Sequence, residues 1–441
     1  MTMSLGKICG YVIEGLVYSM LIFSPLAFGS VEILPLTILE SVSFLILFIW
    51  LVKFLITKEL QIVKRFFWLP VVLFILLVVF QLTPQPKALL GLLSAKHLYI
   101  FTTFIPNEVI SKVQYCLTVC KDLTISKLIE LLSFTAVFFV LLNSLETKKQ
   151  FKRIVIIIIS IGFFVSVLGM AKNFAYPFIN KNHFAGYLEM VIFMTIGLLL
   201  TELDRQKRVI FSFIAITMIF TLFLSLSRAG LLSFFISLLV MFCLLRLRKA
   251  IRKKTVLIAV LVIFAFLFMF ISGADPFLTR ISTLFNKEAI SIESRWVIWK
   301  DMLKIIYDFP IFGSGLGTFK SIYPMYKTLT GQVVISQAHN DLLQLISETG
   351  LLGMGLTLWF FWLFFKNIFE VWLFRHHPFA KGITLGGACA IFSILLHSFF
   401  DFNLQIPANS FLFMVIMAVT YGSVFVEYKN ENEIAKAHNN I

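Results

Sequence analysis

The most restrictive feature of this 441-residue sequence is a succession of long apolar runs. A helix of about 20 residues crosses the ~30 Å hydrocarbon core of a bilayer. Hydrophobic residues make up 59% of the chain and charged residues only 14%, and soluble domains cannot bury so much apolar surface. The sequence therefore predicts an all-α polytopic membrane protein.

The apolar runs predict about twelve transmembrane helices. They lie at approximately 8–28, 32–55, 67–84, 126–145, 154–171, 184–202, 209–227, 229–245, 255–272, 342–368, 382–400 and 408–427. No Pro- or Ser-rich linker divides them, which predicts a single integral-membrane domain over residues 1–441. The first run has no small-x-small cleavage site, so we expect it to remain as an uncleaved span.

The basic residues predict the orientation of the chain in the membrane. With the N-terminus in the cytoplasm, 23 of the 38 Lys and Arg residues fall on the cytoplasmic side, mostly in short connecting loops. Both termini are therefore predicted to be cytoplasmic. The net charge of +15 is explained by these loops, so no nucleic-acid partner is expected.

The opposite side then carries two sizeable loops, at about 85–125 and 273–340. In the second loop, Glu293–Tyr307 is predicted to be an amphipathic helix lying against the membrane or against the spans. The apolar residues at helical spacing in this segment are Trp296, Trp299, Leu303 and Ile306.

The segment SQAHNDLLQLISETGLLGMG, residues 336–355, joins this loop to the tenth predicted span. Asn340 is the expected N-cap of that span. His339 precedes it at the positive end of the helix dipole, which disfavours a protonated imidazole. His339 is therefore a candidate general base, with a hydrogen-bond-donating electrophile and a plain cap-adjacent residue as the alternatives.

Two arginines are candidates for binding an anion on the same side. Arg228 lies at the tip of a tight hairpin with no neighbouring carboxylate, and a guanidinium binds phosphate oxygens bidentately. Its alternatives are snorkelling to a lipid headgroup or pairing with a distant acid. Arg295, at the start of the amphipathic helix, is assigned the same role, with a solvated surface position as its alternative.

The predicted topology brings further polar residues to that side. Asn182 and His183 precede the sixth span and either line a cavity or cap the helix. His397 and Asp401 follow the eleventh span, and their spacing of four residues also allows a hydrogen bond between them. We therefore predict that separate parts of the chain converge on one site.

Other candidate residues have simpler alternatives. Five carboxylates in apolar runs either relay protons or form hydrogen bonds between helices; they are Glu14, Glu40, Glu130, Glu189 and Glu348. Cys116 and Cys120 are interpreted as free thiols rather than a disulfide. No Asp-x-Asp, Cys/His zinc pattern or phosphate-binding glycine loop occurs, and GSGLGTFK (313–320) is interpreted as a turn. No metal or cofactor is expected.

Several segments resemble, in order, the O-antigen ligase and polymerase superfamily. They are HNDLLQLISETGLLGMG (339–355), NHFAGYL (182–188), SRAG (227–230), Arg295 with Trp299 ahead of PIFGSGLGTF (310–319), and HSFFDFNLQIPAN (397–409). The resemblance implies a GT-C-like, metal-independent glycosyltransferase in the bacterial inner membrane, with its active site on the periplasmic face. The implied donor is a glycan on undecaprenyl diphosphate.

The resemblance also implies roles for individual residues. Arg228 and Arg295 correspond to the arginines that hold the diphosphate, and His339 corresponds to the histidine that activates the acceptor hydroxyl. Asn182, His183, Asn340, His397 and Asp401 are shared motif residues with a substrate-binding role. The favoured activity is O-antigen ligase, with lipid A–core as acceptor. A polymerase extending a lipid-linked glycan, a protein O-glycosyltransferase, and a polysaccharide transporter or flippase are the alternatives.

Overall fold

The computed structural model describes residues 5–58, 67–104, 114–201, 204–246, 292–329, 334–375 and 377–425. These residues form α-helices and short 3-10 turns, with no β-strand among them. The helices are α1 (Leu5–Leu26), α2 (Ile33–Thr57), α3 (Trp68–Leu82), α4 (Lys87–Leu93), α5 (Ala95–Phe104), α6 (Lys121–Ser144), α7 (Lys148–Ala171), α8 (Lys181–Leu199), α9 (Arg205–Leu224), α10 (Arg228–Arg246), α11 (Ile292–Asp308), α12 (Phe319–Ile322), α13 (Asp341–Phe374), α14 (Pro378–His397) and α15 (Pro407–Phe425).

Ten of these helices are long and apolar enough to cross a membrane, which confirms the predicted all-α multi-pass fold. They correspond to ten of the twelve predicted spans. The third predicted span is α3, which has only 15 residues and at 1.5 Å per residue is shorter than the hydrocarbon core. The ninth predicted span, 255–272, lies outside the described residues.

The centre of the bundle is formed by α8 and α14, whose side chains are almost all buried. These two helices approach each other closely where Gly197 faces Gly386. A Cβ added at Gly197 would lie 2.8 Å from the Gly386 Cα, so only glycine allows this contact. Small residues at helix crossings in membranes permit such packing, which fixes the positions of the helix ends that carry the candidate site.

Helix ends at the two faces of the bundle carry different polar residues. The N-terminal ends of α8, α10 and α13 and the C-terminal end of α14 lie together at one face, which we call the site face; hydrogen bonds between their end residues join them. At the opposite face, Lys53 lies 3.8 Å from Glu146, and Lys148 lies 3.4 Å from His377.

The predicted amphipathic helix is present as α11, but its buried face differs from the predicted stripe. Ile298, Met302 and Ile305 are fully buried and pack against the α12 region. Trp296 and Leu303, from the predicted stripe, are 58% and 59% exposed. The helix therefore packs on the protein through one apolar face and leaves a second apolar stripe open.

Residues 313–318 of the segment predicted to be a turn (313–320) form one, α12 begins at Phe319, and Glu348 of α13 holds the turn in place. The Glu348 carboxylate accepts hydrogen bonds from the backbone N–H groups of Gly317 (2.8 Å) and Phe319 (3.2 Å). This acid is thus used structurally rather than as part of a proton path. The same region breaks α13, because Gly350 has φ 66° and ψ −170°.

Replacement of Gly350 by alanine is expected to destabilise the protein by about 2 kcal/mol or more. Its backbone lies in the left-handed region, and an added Cβ would lie 2.2 Å from the Ile311 carbonyl oxygen. Gly355 on the same helix has nothing within 4 Å of an added Cβ. Thermal unfolding in detergent should therefore show a large loss for Gly350→Ala and none for Gly355→Ala; equal values would contradict this reading of the helix break.

Candidate active site

Asp401 is the centre of a polar cluster at the site face. Its side chain is fully buried, and it accepts a short hydrogen bond from the Asn182 side-chain amide. Asp401 Oδ1 also accepts from the Phe402 N–H at 2.9 Å and lies 3.3 Å from His339 Nδ1. Arg295 Nη2 lies 3.5 Å from Oδ2. Helices α8 and α11 and the segments flanking α13 and α14 therefore meet at one carboxylate.

These neighbours keep Asp401 ionised. Burial by itself opposes the charged form, but the hydrogen bond with His339 and the positive charge of Arg295 outweigh it and hold the pKa of the carboxyl well below its usual range. Asp401 is therefore a hydrogen-bond acceptor at neutral pH.

The charge on Asp401 determines the tautomer of His339. An ionised carboxylate only accepts hydrogen bonds, so a neutral His339 carries its proton on Nδ1 and donates it to Asp401. Its Nε2 then keeps a free lone pair. The ring is only partly buried, with 13% of the side chain exposed. This arrangement gives the imidazole one anchored nitrogen and one nitrogen able to accept a proton.

The backbone at His339 lies in the left-handed region, with φ 52°, which is uncommon for a residue with a side chain. Contacts on both sides of Ala338 fix this turn: its carbonyl accepts from Trp299 Nε1 at 3.1 Å, and its N–H donates to Gln344 Oε1 at 3.0 Å. A strained conformation that is held by its surroundings is typical of functional positions.

Asn340 is the N-cap of α13, as predicted: its side-chain oxygen accepts from the Leu343 N–H at 3.0 Å. The next residue, Asp341, joins α13 to the segment after α14. Its carboxylate accepts from the Ser398 hydroxyl at 2.8 Å and from the Leu404 N–H at 3.0 Å. Together these contacts hold His339 beside Asp401.

Arg295 is positioned by two groups from the segment after α14. Its Nη1 donates to the Phe400 carbonyl at 2.7 Å, and its Nη2 faces Asp401. The Nε atom is buried and has no hydrogen-bond partner among the described residues. The guanidinium therefore lies against Asp401 as its counter-charge, with 21% of the Arg295 side chain exposed.

Arg228 lies next to this cluster, because the preceding residue, Ser227, is hydrogen-bonded to it. The Ser227 hydroxyl donates to Asn182 Oδ1 at 2.9 Å, and Asn182 in turn contacts Asp401. Arg228 itself is exposed, and its guanidinium has no ion-pair or hydrogen-bond partner within the described part of the chain. An exposed, unpaired cation beside a buried charged cluster is suited to binding an anion.

His183 also lies in the cluster and is not the cap of α8, because the Asn180 side chain has that function. His183 Nε2 is 4.0 Å from Asp401 Oδ1. The rings of His183 and His339 contact the same Phe402 ring edge-to-face, at centroid distances of 4.6 and 4.8 Å. Phe402 thus packs against both imidazoles and forms an apolar wall of the site.

The alternative that His397 bonds to Asp401 through their side chains is wrong. The backbone keeps the i, i+4 hydrogen bond, from the Asp401 N–H to the His397 carbonyl at 3.1 Å, but the two side chains turn to different partners. The His397 side chain is fully buried, and its Nδ1 lies 2.8 Å from Glu189 Oε1. Glu189 Oε2 accepts from Ser393 at 2.6 Å and Ser233 at 3.0 Å. This acid therefore links α8, α10 and α14.

Replacement of Glu189 by alanine is expected to destabilise the bundle by about 3 kcal/mol, because it leaves the buried His397 without its partner. Glu370→Ala is the matched control, since Glu370 forms only an exposed pair with Lys366 at 3.9 Å and should change stability by less than ~0.5 kcal/mol. Thermal unfolding in detergent distinguishes the two variants. A Glu189→Ala protein as stable as the wild type would contradict a structural role for this pair.

Two of the other intramembrane acids, Glu14 and Glu130, have charged partners. Glu14 of α1 pairs with Arg153 of α7 at 2.6 Å. This contact is the hydrogen bond between helices that was the alternative to a proton relay. Glu130 pairs with Lys127 of its own helix at 2.8 Å. Cys116 and Cys120 are free thiols.

Sequence reasoning did not find Ser227, Phe402 or Gln344, which accepts from the Ala338 N–H, as parts of the site. Ser227 and Phe402 lie within the SRAG and HSFFDFNLQIPAN segments, so their positions beside Arg228 and Asp401 were the available signal. Their contacts with Asn182 and His339 depend on the packing of distant helices.

Comparison with known proteins agrees with these segments. Residues 213–358 match the family model described as O-antigen ligase. This match includes Arg228, Arg295, His339 and Asn340, whereas Asp401 lies beyond it. No curated protein matches the chain. The resemblance of the chain to the O-antigen ligase and polymerase superfamily is therefore confirmed over residues 213–358.

Proposed function

We propose that this protein transfers a glycan from undecaprenyl diphosphate to an acceptor hydroxyl at the periplasmic face of the bacterial inner membrane. The observation that carries the proposal is the cluster around Asp401, which anchors His339 beside Arg295 and next to Arg228, whose guanidinium has no charged partner among the described residues. A transporter would instead place polar groups along a path between the two faces, whereas these groups lie together at one face.

In the proposed reaction, His339 Nε2 takes the proton of the acceptor hydroxyl. The acceptor oxygen attacks the anomeric carbon of the donor glycan as the bond from that carbon to the diphosphate breaks. One displacement of this kind inverts the configuration at the anomeric carbon. Asp401 stabilises the positive charge that develops on His339 and keeps its Nε2 directed away from the carboxylate.

The leaving group is the lipid diphosphate, on which negative charge grows during the reaction. Arg228 offers its guanidinium to these oxygens, and Arg295 contributes a second positive charge from the buried side of the cluster. Positioned cations lower the barrier when they face charge that develops in the transition state. Neither step draws on a metal ion.

For the acceptor we propose lipid A–core, which makes the activity that of an O-antigen ligase in lipopolysaccharide biosynthesis. Purified protein should be incubated with lipid-linked glycan as donor in three separate reactions. Their acceptors are lipid A–core, further lipid-linked glycan and a protein. Glycan on lipid A–core is the expected product. A ladder of chain lengths on undecaprenyl diphosphate would identify a polymerase, and a glycosylated protein would identify a protein O-glycosyltransferase.

Replacement of Arg228 by alanine is expected to weaken donor binding by about 10- to 100-fold, since a hydrogen bond to a charged group contributes roughly 1.5–3 kcal/mol. Arg246→Ala is the matched control, because Arg246 ends the same helix at the opposite face and lies over the Phe242 ring. Binding of lipid-linked glycan to detergent-solubilised protein measures the effect. Equal affinity in the two variants would remove Arg228 from the donor site.

A further inference from the structure

A second polar cavity lies at the opposite face, away from the candidate active site. Helices α1 and α2 and the turn between α6 and α7 enclose about 490 Å³, a volume within the range of ligand-binding pockets. The charged residues of its lining are Lys7, Glu14, Lys53, Glu146, Lys149 and Arg153. We call it the basic cavity.

The floor of the basic cavity is a closed hydrogen-bond network around Glu14. Its carboxylate accepts from Arg153 Nη2 at 2.6 Å, Gln150 Nε2 at 2.9 Å and the Tyr18 hydroxyl at 2.8 Å. Glu14 is only 6% exposed, so its negative charge is both buried and paired with Arg153. This acid does not neutralise the other cations of the cavity.

The remaining charges leave the basic cavity positive. Its lining has four basic residues and two carboxylates, and Glu146 is a distant partner, 3.8 Å from Lys53. Lys7 and Lys149 are exposed, and within the described ranges neither has an ion-pair or hydrogen-bond partner. Two lysines therefore face the cavity with unsatisfied charge.

Exposed apolar side chains lie at the ends of α1 and α2 that border the basic cavity. Tyr11, which lines the cavity, is 54% exposed, and Leu5 and Leu55, near the same ends of the two helices, are 64% and 70% exposed. These side chains continue along helices that cross the membrane, where acyl chains lie. A molecule with an anionic head and an apolar tail can contact both the lysines and these apolar side chains, whereas a soluble anion would contact only the lysines.

We propose that the basic cavity binds the phosphate headgroup of an anionic phospholipid, with Lys7 and Lys149 contacting the phosphate oxygens. Basic pockets between transmembrane helices bind anionic headgroups in this way, and charge-assisted hydrogen bonds favour phosphate over neutral groups. The bound lipid fills the gap between α1, α2 and α7 and links the first two helices to the bundle. The site is independent of the glycan-transfer reaction.

Binding can be measured by native mass spectrometry of the full chain in detergent, with phosphatidylglycerol, phosphatidylcholine and inorganic phosphate as probes. Phosphatidylglycerol should bind the wild type more tightly than phosphatidylcholine does, and inorganic phosphate at millimolar concentration should not displace it. The Lys7→Gln/Lys149→Gln variant should bind phosphatidylglycerol about 30-fold more weakly, as expected for two lysines near a lipid surface.

Arg205→Gln/Lys207→Gln is the matched control, because it removes two positive charges at the start of α9, outside the cavity. It should bind phosphatidylglycerol as the wild type does. The proposal is overturned if both double variants bind alike, if phosphatidylcholine binds the wild type equally well, or if inorganic phosphate displaces the lipid, which would indicate a soluble-anion site.

Discussion

His339→Ala should abolish glycan transfer while the protein still binds lipid-linked glycan. The imidazole is held by Asp401 through Nδ1, so its loss removes the group that accepts the acceptor proton but leaves Arg228 and Arg295 in place. General-base catalysis contributes typically 10²- to 10⁴-fold, and a loss of about that size is expected in kcat. Transfer assays and donor-binding measurements on the same preparation separate the two effects.

His377→Ala is the control for His339→Ala. His377 caps α14 at the opposite face, where its Nδ1 accepts from the Phe379 N–H at 3.2 Å. Transfer should be unaffected in this variant. If His339→Ala transferred glycan at the wild-type rate, His339 would have no part in the reaction, whereas a loss of donor binding equal to the loss of transfer would assign it to binding instead.

Asp401→Asn should reduce transfer by about 10²- to 10⁴-fold, the range expected when the residue that orients a catalytic histidine is neutralised. The amide keeps the shape of the side chain but can donate to His339 Nδ1, which would leave the proton on Nε2 and remove its lone pair. It also leaves Arg295 without its buried counterion. The donor dissociation constant should change much less than kcat.

Asp308→Asn is the matched control, because Asp308 is the last residue of α11. It pairs with Lys96 at 2.7 Å, outside the cluster around Asp401. It should retain wild-type transfer. Thermal unfolding of both variants shows whether a loss of transfer reflects lost structure. A folded Asp401→Asn protein with wild-type kcat would show that Asp401 does not set the tautomer of His339.

Local features of the sequence were enough to predict the helices and several of their ends. Apolar runs of membrane-spanning length identified ten of the observed helices, since in a bilayer the backbone must satisfy its own hydrogen bonds. The N-cap at Asn340 was also predictable, because capping depends on one side chain and the next three residues.

Side-chain partners between distant segments depended on the tertiary structure. The spacing of His397 and Asp401 allowed a hydrogen bond between their side chains, but the His397 side chain enters the bundle towards Glu189 and the Asp401 side chain enters the site. Likewise, the apolar stripe of α11 could be seen in the sequence, whereas the choice of Ile298 and Met302 as its buried face depended on the surface beneath it.

The sequence by itself thus determined that the chain crosses a membrane many times and that its polar motifs reach one face, because both follow from local hydrophobicity and from the alternation of spans. Only the tertiary structure decided that Asp401 is the residue on which Asn182, Arg295 and His339 converge. Hydrogen bonds have a reach of about 3 Å, and that precision is set by how the helices pack rather than by the order of residues along the chain.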